Sequence, residues 1–144
     1  MLKDLFPHWH FAPSASVQAI VDVEATLNVS FPQELRALYS ETDGIRESVG
    51  NAKYLLSLRD EDSIGSLVTT TKHFWEEWAG VWPGLDFRPY IFFGFSSSDE
   101  AWGINWKRPG EIIAYHHHME GTFEVVGAKI IDVYRADIAK YGPA

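Results

Sequence analysis

The chain has 144 residues, a formal net charge of −8 and no cysteine. That length suits one domain with its own core. The missing cysteines exclude disulfides and thiolate metal sites and fit a reducing compartment, and the negative charge opposes phosphate backbones and anionic lipid surfaces.

The start, MLKDLFPHWHFAPSAS, has no basic segment followed by a long apolar one, so no secretory leader is expected. No apolar run approaches the roughly 18 residues of a membrane span. A cytoplasmic protein is predicted, with neither nucleic acid nor membrane as a direct partner. Six Trp, six Tyr and nine Phe form an unusual aromatic load, to be divided between a core and an interface.

Residues 1–13 carry Phe6, Trp9 and Phe11 among Pro7 and Pro13, which argues for an extended or singly turned arm packed back on the domain. His8 and His10 read as surface residues. Ser14 or Ser16 can cap a first helix running to about Val29, with Val17, Ile20, Val21 and Leu27 as its apolar stripe and Val23 at the edge. Glu24 lies four after Ile20 and three before Leu27. It either points inward and takes a partner at the start of the next helix, near Phe31 to Gln33, or sits at the stripe's edge in water. The second helix starts at Pro32 in its first turn or at a Ser30–Gln33 capping box. Phe31, Leu35, Leu38 and Tyr39 share a face, and Asp43-Gly44 stops the helix.

Residues 45–52 read as a loop and Tyr54 to Leu58 as a short strand. Asp60, Glu61, Asp62 and Ser63 suit a helix N-terminus, followed by Ile64, Leu67, Val68, Thr71, Phe74, Trp75 and Trp78 at steps of three and four, with Gly80 as the stop. After a turn-rich connection over 80–89 the period changes to two. Tyr90 to Phe95, Trp102 to Trp106, Ile112 to His118 and Thr122 to Val126 read as consecutive strands with short links, hence an antiparallel meander. Lys129 to about Tyr141 is a last helix with Ile130, Tyr134, Ile138 and Tyr141 on one face. The predicted architecture is α+β: helices against an antiparallel sheet of about four to six strands, in a single domain over residues 1–144 with 1–13 as an N-terminal arm.

Three constellations bear on chemistry. His116 and His118 share a strand face and could begin a zinc site, with Asp99, Glu100 or Glu124 as a third ligand; no HExxH or similar spacing accompanies them, and polar residues at a strand end explain them as well. Ser96-Ser97-Ser98-Asp99-Glu100 lacks the Gly-x-Ser-x-Gly elbow of a serine nucleophile and suits a hairpin turn. Trp102, Ile104 and Trp106 share a strand face. Packed on the helices they are core; facing water they are a binding patch. No catalytic signature, glycine-rich phosphate loop or cofactor motif is present, so no cofactor is expected.

The stretch from Val23 to Gly44, VEATLNVSFPQELRALYSETDG, resembles the pattern E-x-x-L-x-x-x-[LF]-P-x-x-[LY]-x-x-[LF]-Y-x-x-x-[ND]-G through Glu24, Leu27, Phe31, Pro32, Leu35, Leu38, Tyr39, Asp43 and Gly44. The pattern is that of the SMI1/KNR4 family, also called the SUKH superfamily. Phe31 stands where leucine is commoner and Asp43 where asparagine is commoner. The resemblance implies a non-catalytic binding protein. Bacterial members are typically immunity proteins that bind a cognate polymorphic toxin, often a nuclease, and fungal members are regulatory scaffolds. A basic toxin domain would suit the acidic charge. The candidate partner surface joins Asp60, Glu61 and Asp62 to Asp99, Glu100, Trp102 and Trp106. A regulatory adaptor, or a metal-assisted hydrolase using His116 and His118, are the alternatives.

Overall fold

The computed structural model describes residues 2–46, 53–59, 65–116 and 122–141. Their elements are α1 (Leu2–Leu5), β1 (His10–Phe11), α2 (Val17–Leu27), α3 (Gln33–Glu41), β2 (Ile45–Arg46), β3 (Lys53–Leu55), α4 (Leu67–His73), a π-helical segment (Phe74–Trp78), α5 (Ala79–Val81), β4 (Tyr90–Phe95), β5 (Ala101–Asn105), β6 (Ile112–His116), β7 (Thr122–Gly127) and α6 (Ile130–Tyr141). This is an α+β fold with two antiparallel sheets, one ordered β1-β2-β3 and the other a β4-β5-β6-β7 meander. Among the described residues no helix is long and apolar enough to cross a membrane.

The first helix differs in phase from the sequence reading. Ser16 caps it through Ala19 N–H at 3.0 Å, and Asn28 ends it in the left-handed conformation at φ 56°. Its buried residues are Ile20, Val23 and Leu27, whereas Val17 and Val21 are 73% and 43% exposed. Val23 is therefore central to the stripe, since 20, 23 and 27 recur at helical steps.

Glu24 faces the start of α3, the inward of the two positions open to it. Its Oε2 accepts from Phe31 N–H at 2.7 Å, and the Arg36 guanidinium donates to Oε1 at 2.7 Å and Oε2 at 2.6 Å. Pro32 is the residue before the helix rather than part of its first turn, and no side chain caps there. Neither the Ser30–Gln33 box nor a proline-led first turn is used.

The far end of α3 is a junction. Thr42 leaves the helix in an extended conformation, and Gly44 follows with φ 144°. Thr42 Oγ1 donates to Ala12 C=O at 2.6 Å, and Asp43 N–H to Pro13 C=O at 2.8 Å, which ties down the N-terminal arm. The Asp43 carboxylate accepts from Leu58 N–H at 2.9 Å and Ser57 Oγ at 3.2 Å. Tyr39 donates its buried hydroxyl to Leu56 C=O at 2.5 Å. Residues 45 and 46, read as loop, instead form β2 between β1 and β3.

The two sheets meet at β3 and β4, where Leu56 N–H donates to Phe93 C=O at 2.8 Å. Gly94 permits this approach: a Cβ there would lie 1.8 Å from Tyr54 O. The outer edge of β4 is covered as well, because Thr71 Oγ1 bonds both Phe92 N–H (3.0 Å) and Phe92 C=O (3.3 Å), and Trp75 Nε1 donates to Tyr90 C=O at 2.9 Å. A sheet edge with its polar groups satisfied in this way cannot template further pairing. Helix α4 starts at a reciprocal capping box of Ser66 and Thr69, so Ile64 precedes it, and Asp60 to Ser63 lie outside the described residues. The π turn lets the neighbours Phe74 and Trp75 both be buried.

Candidate docking clefts

Every residue of β5 is buried, because both faces of the sheet are covered. Trp102 is 3% exposed and packs on Tyr54, Phe93 and Tyr134 at ring separations of 6.0, 6.3 and 5.4 Å. The expectation that Trp102 joins a partner surface is therefore corrected. Helix α6 brings Tyr134 over it, which the strand pattern alone does not reveal. On the opposite face Gly103 makes room for aromatic rings: a Cβ there would meet Phe92 at 3.0 Å and Tyr90 at 3.1 Å.

Among the described residues, the remaining candidates Asp99, Glu100 and Trp106 do not form one patch. Asp60, Glu61 and Asp62 lie outside the described residues. Glu100 is committed to its neighbours, accepting from Ser98 Oγ at 3.1 Å and facing His116 Nδ1. The other ring nitrogen of His116 faces Glu124 Oε1 at 3.0 Å. The two carboxylates thus bracket the imidazole from opposite sides instead of converging on a point where a cation could sit. Among the described residues no three His, Asp or Glu side chains are grouped as metal ligands; His118 lies outside them.

The serine turn bonds its own backbone, as its composition predicts. Ser96 Oγ accepts from Ser98 N–H and Glu100 N–H at 3.2 and 3.1 Å. Ser97 is clasped by Asp137 of α6, whose Oδ2 takes Ser97 Oγ at 2.6 Å, Ser97 N–H at 3.1 Å and Tyr54 Oη at 2.9 Å. Three donors on one oxygen of an 8% exposed carboxylate satisfy its burial. Their effect is to lock the β4–β5 turn to α6 and β3.

Two clefts flank this scaffold. The first, about 500 Å³, lies between α4 with its π segment and the β4–β5 turn. Phe74, Trp78, Phe95 and Tyr115 supply aromatic walls, while His73 and Asp99 supply polar groups. Asp99 adopts φ 65°, a left-handed conformation that Asp tolerates better than most residues. His73 stands edge-on to Phe74 and Trp78 and is tied to Glu77. Tyr115 is 3% exposed, and burial pushes its hydroxyl pKa up against a smaller opposing effect of the Trp82 indole. Close as those two groups are, neither Tyr115 Oη nor Trp82 Nε1 attains hydrogen-bond geometry with any partner among the described residues.

The second cleft, about 480 Å³, lies between the start of α3 and the β5–β6 turn, with Pro32, Ile104, Asn105 and Trp106 on its walls. Trp106 is half-buried. Its Nε1 donates to Arg88 C=O at 3.0 Å, and Lys107 Nζ lies 5.2 Å from the ring centre. Asn105 braces the turn, accepting from Lys107 and Arg108 N–H and donating to Glu111 at 2.7 Å. That donation, a second from Tyr90, and Arg108 hold the Glu111 carboxyl below its usual pKa. Burial, reinforced by Glu111, pushes Tyr90 up to about 12.

Ala101 faces Tyr115 across the ladder and Trp102 faces Ala114. Asp99 and Ala101 therefore belong to a cleft on one face of the sheet, and Ile104, three residues on, to the cleft on the other. The sequence offered no signal for the first cleft. Its residues come from α4, the π segment, β4 and β6, and no local spacing connects them. Arg36 was likewise missed as the partner of Glu24, although it lies on the turn of α3 that faces it.

What the fold and its clefts define is a small α+β domain of the kind that presents concave surfaces on a braced sheet. The chain belongs to the SMI1 / KNR4 family (SUKH-1), whose model matches residues 14–132. A comparison with curated proteins found no match.

Proposed function

We propose that this chain is an immunity protein that neutralises a cognate toxin domain by binding it directly and occluding its active surface. Family membership carries this reading. The net charge of −8 supports a basic partner such as a nuclease, because opposite fields speed encounter and favour correct docking. The cleft containing Asp99 serves as the docking centre, with Asp60, Glu61 and Asp62 supplying steering charge. Trp106 belongs to the other cleft and contributes to docking only if the partner wraps around the sheet.

The test is co-expression with the toxin domain encoded by a neighbouring reading frame. Growth should be restored, and the two proteins should co-purify at one-to-one stoichiometry. Continued killing with the candidate immunity protein present in excess rejects the reading.

A further inference from the structure

We infer that the cleft between α4 and the β4–β5 turn is a receptor for a basic side chain, with arginine as its best occupant. This rests on the proposed protein-binding function and names the chemistry of the contact.

Four aromatic residues, Phe74, Trp78, Phe95 and Tyr115, line the cleft, and among the described residues no Lys or Arg does. An aromatic ring attracts a cation through its negative face. Asp99 is the carboxylate of the lining. The partly buried acids among the described residues are engaged, Glu24 by Arg36, Glu34 by Ile130 N–H, Asp43 by Leu58 N–H, Glu100 by His116, Glu111 by Asn105 and Asp137 by Ser97, whereas Asp99 is exposed at the cleft's rim. Asp99 has no hydrogen bond or ion pair from its side chain among the described residues, so its charge is available to a ligand. His73 does not cancel it, being held against Glu77.

A guanidinium supplies several N–H donors in a plane that also stacks on aromatic rings, whereas an ammonium is compact and strongly hydrated. Arginine can therefore meet Asp99 and the aromatic walls together.

The test uses acetyl-Gly-Arg-Gly-amide and its citrulline counterpart, which keeps the shape and loses the charge. Each is titrated into ¹⁵N-labelled wild-type protein and into the Asp99→Asn, Trp78→Leu and Glu41→Gln variants. The arginine peptide should saturably shift amides of residues 69–78 and 95–101 and the Trp78 indole, with citrulline about tenfold weaker. Asp99→Asn and Trp78→Leu should each weaken arginine binding about five- to tenfold, while Glu41→Gln, which removes an exposed charge at the end of α3, should leave it unchanged. Equal binding of citrulline, an unaffected Asp99→Asn variant, or diffuse shifts without saturation each overturn the proposal. Toxin capture separates the two readings. If wild type and Asp99→Asn capture the toxin equally, the arginine receptor fails and the immunity function stands. A wild type that captures nothing rejects the immunity function whatever the peptides do.

Discussion

Two residues show how much a single side chain can fix. Glu24 holds the first N–H beyond the break between α2 and α3 and is itself 14% exposed at its side chain, against 37% for Arg36. Replacing it with alanine strands the Phe31 N–H and removes a charge-assisted pair, so Glu24→Ala should cost about 2 kcal/mol in urea unfolding. Arg36→Ala should cost under about 1 kcal/mol, because the guanidinium is partly solvated. Equal losses in the two variants would mean that the ion pair, and not the bond to Phe31, carries the effect. Gly94 acts through absence. With Tyr54 O 1.8 Å from where a Cβ would stand, Gly94→Ala forces β3 and β4 apart and should cost roughly 3 kcal/mol or more. An alanine variant as stable as wild type would show that the sheets can separate freely there.

The junctions between elements are made by side chains that grip backbone. Asp43 takes the chain leaving β3, Thr71 covers the edge of β4, and Asp137 clasps the β4–β5 turn. The last of these bears on the docking cleft, since Asp99 sits in the clasped turn. Asp137→Ala removes the acceptor shared by the Ser97 N–H and the Ser97 and Tyr54 hydroxyls, which stay in contact with each other. It should destabilise the fold by about 2–3 kcal/mol and should raise hydrogen exchange at residues 96–99 more than at β5. Uniform exchange rates across both segments would deny the clasp its local role. The π segment works at the same scale: one widened turn buries both Phe74 and Trp75 while leaving Trp78 for the cleft.

Over the whole molecule, the aromatic load becomes a pH response. Tyr39 and Tyr134 are fully buried, and burial pushes both hydroxyls well above the usual value of 10.0. Below about pH 10 the folded and unfolded chains both keep these protons, so stability does not depend on them. As the pH rises through that value the unfolded chain ionises first. Stability should then fall by about 1.4 kcal/mol per pH unit for each such tyrosine. Tyr90, pushed up to about 12, adds to the slope until the pH reaches that value. Urea midpoints should hold level from pH 8 to 9 and drop above 10, and Tyr134→Phe should make the drop shallower. A midpoint that stays level to pH 11 would contradict this.

By itself the sequence determined the α+β class, the order of α2, α3, α4 and α6 around the strand meander, and the family corner from Glu24 to Gly44. These rest on local quantities: periodicity, caps, turn residues and a short pattern of apolar spacing, all written within a few turns of chain. Even the inward position of Glu24 was open to reading, because a carboxylate on an apolar stripe demands a nearby donor. Only the tertiary structure decided which face of each element met which neighbour. Val17 looked like core and is exposed; Trp102 looked like a possible anchor and lies under Tyr134 of α6. Residues 45 and 46 looked like loop and form a strand once β1 and β3 flank them. The cleft around Asp99 belongs to the same class. Its walls come from segments about twenty to forty residues apart, and contacts at that separation are set by how helices and sheet pack, which no local spacing records.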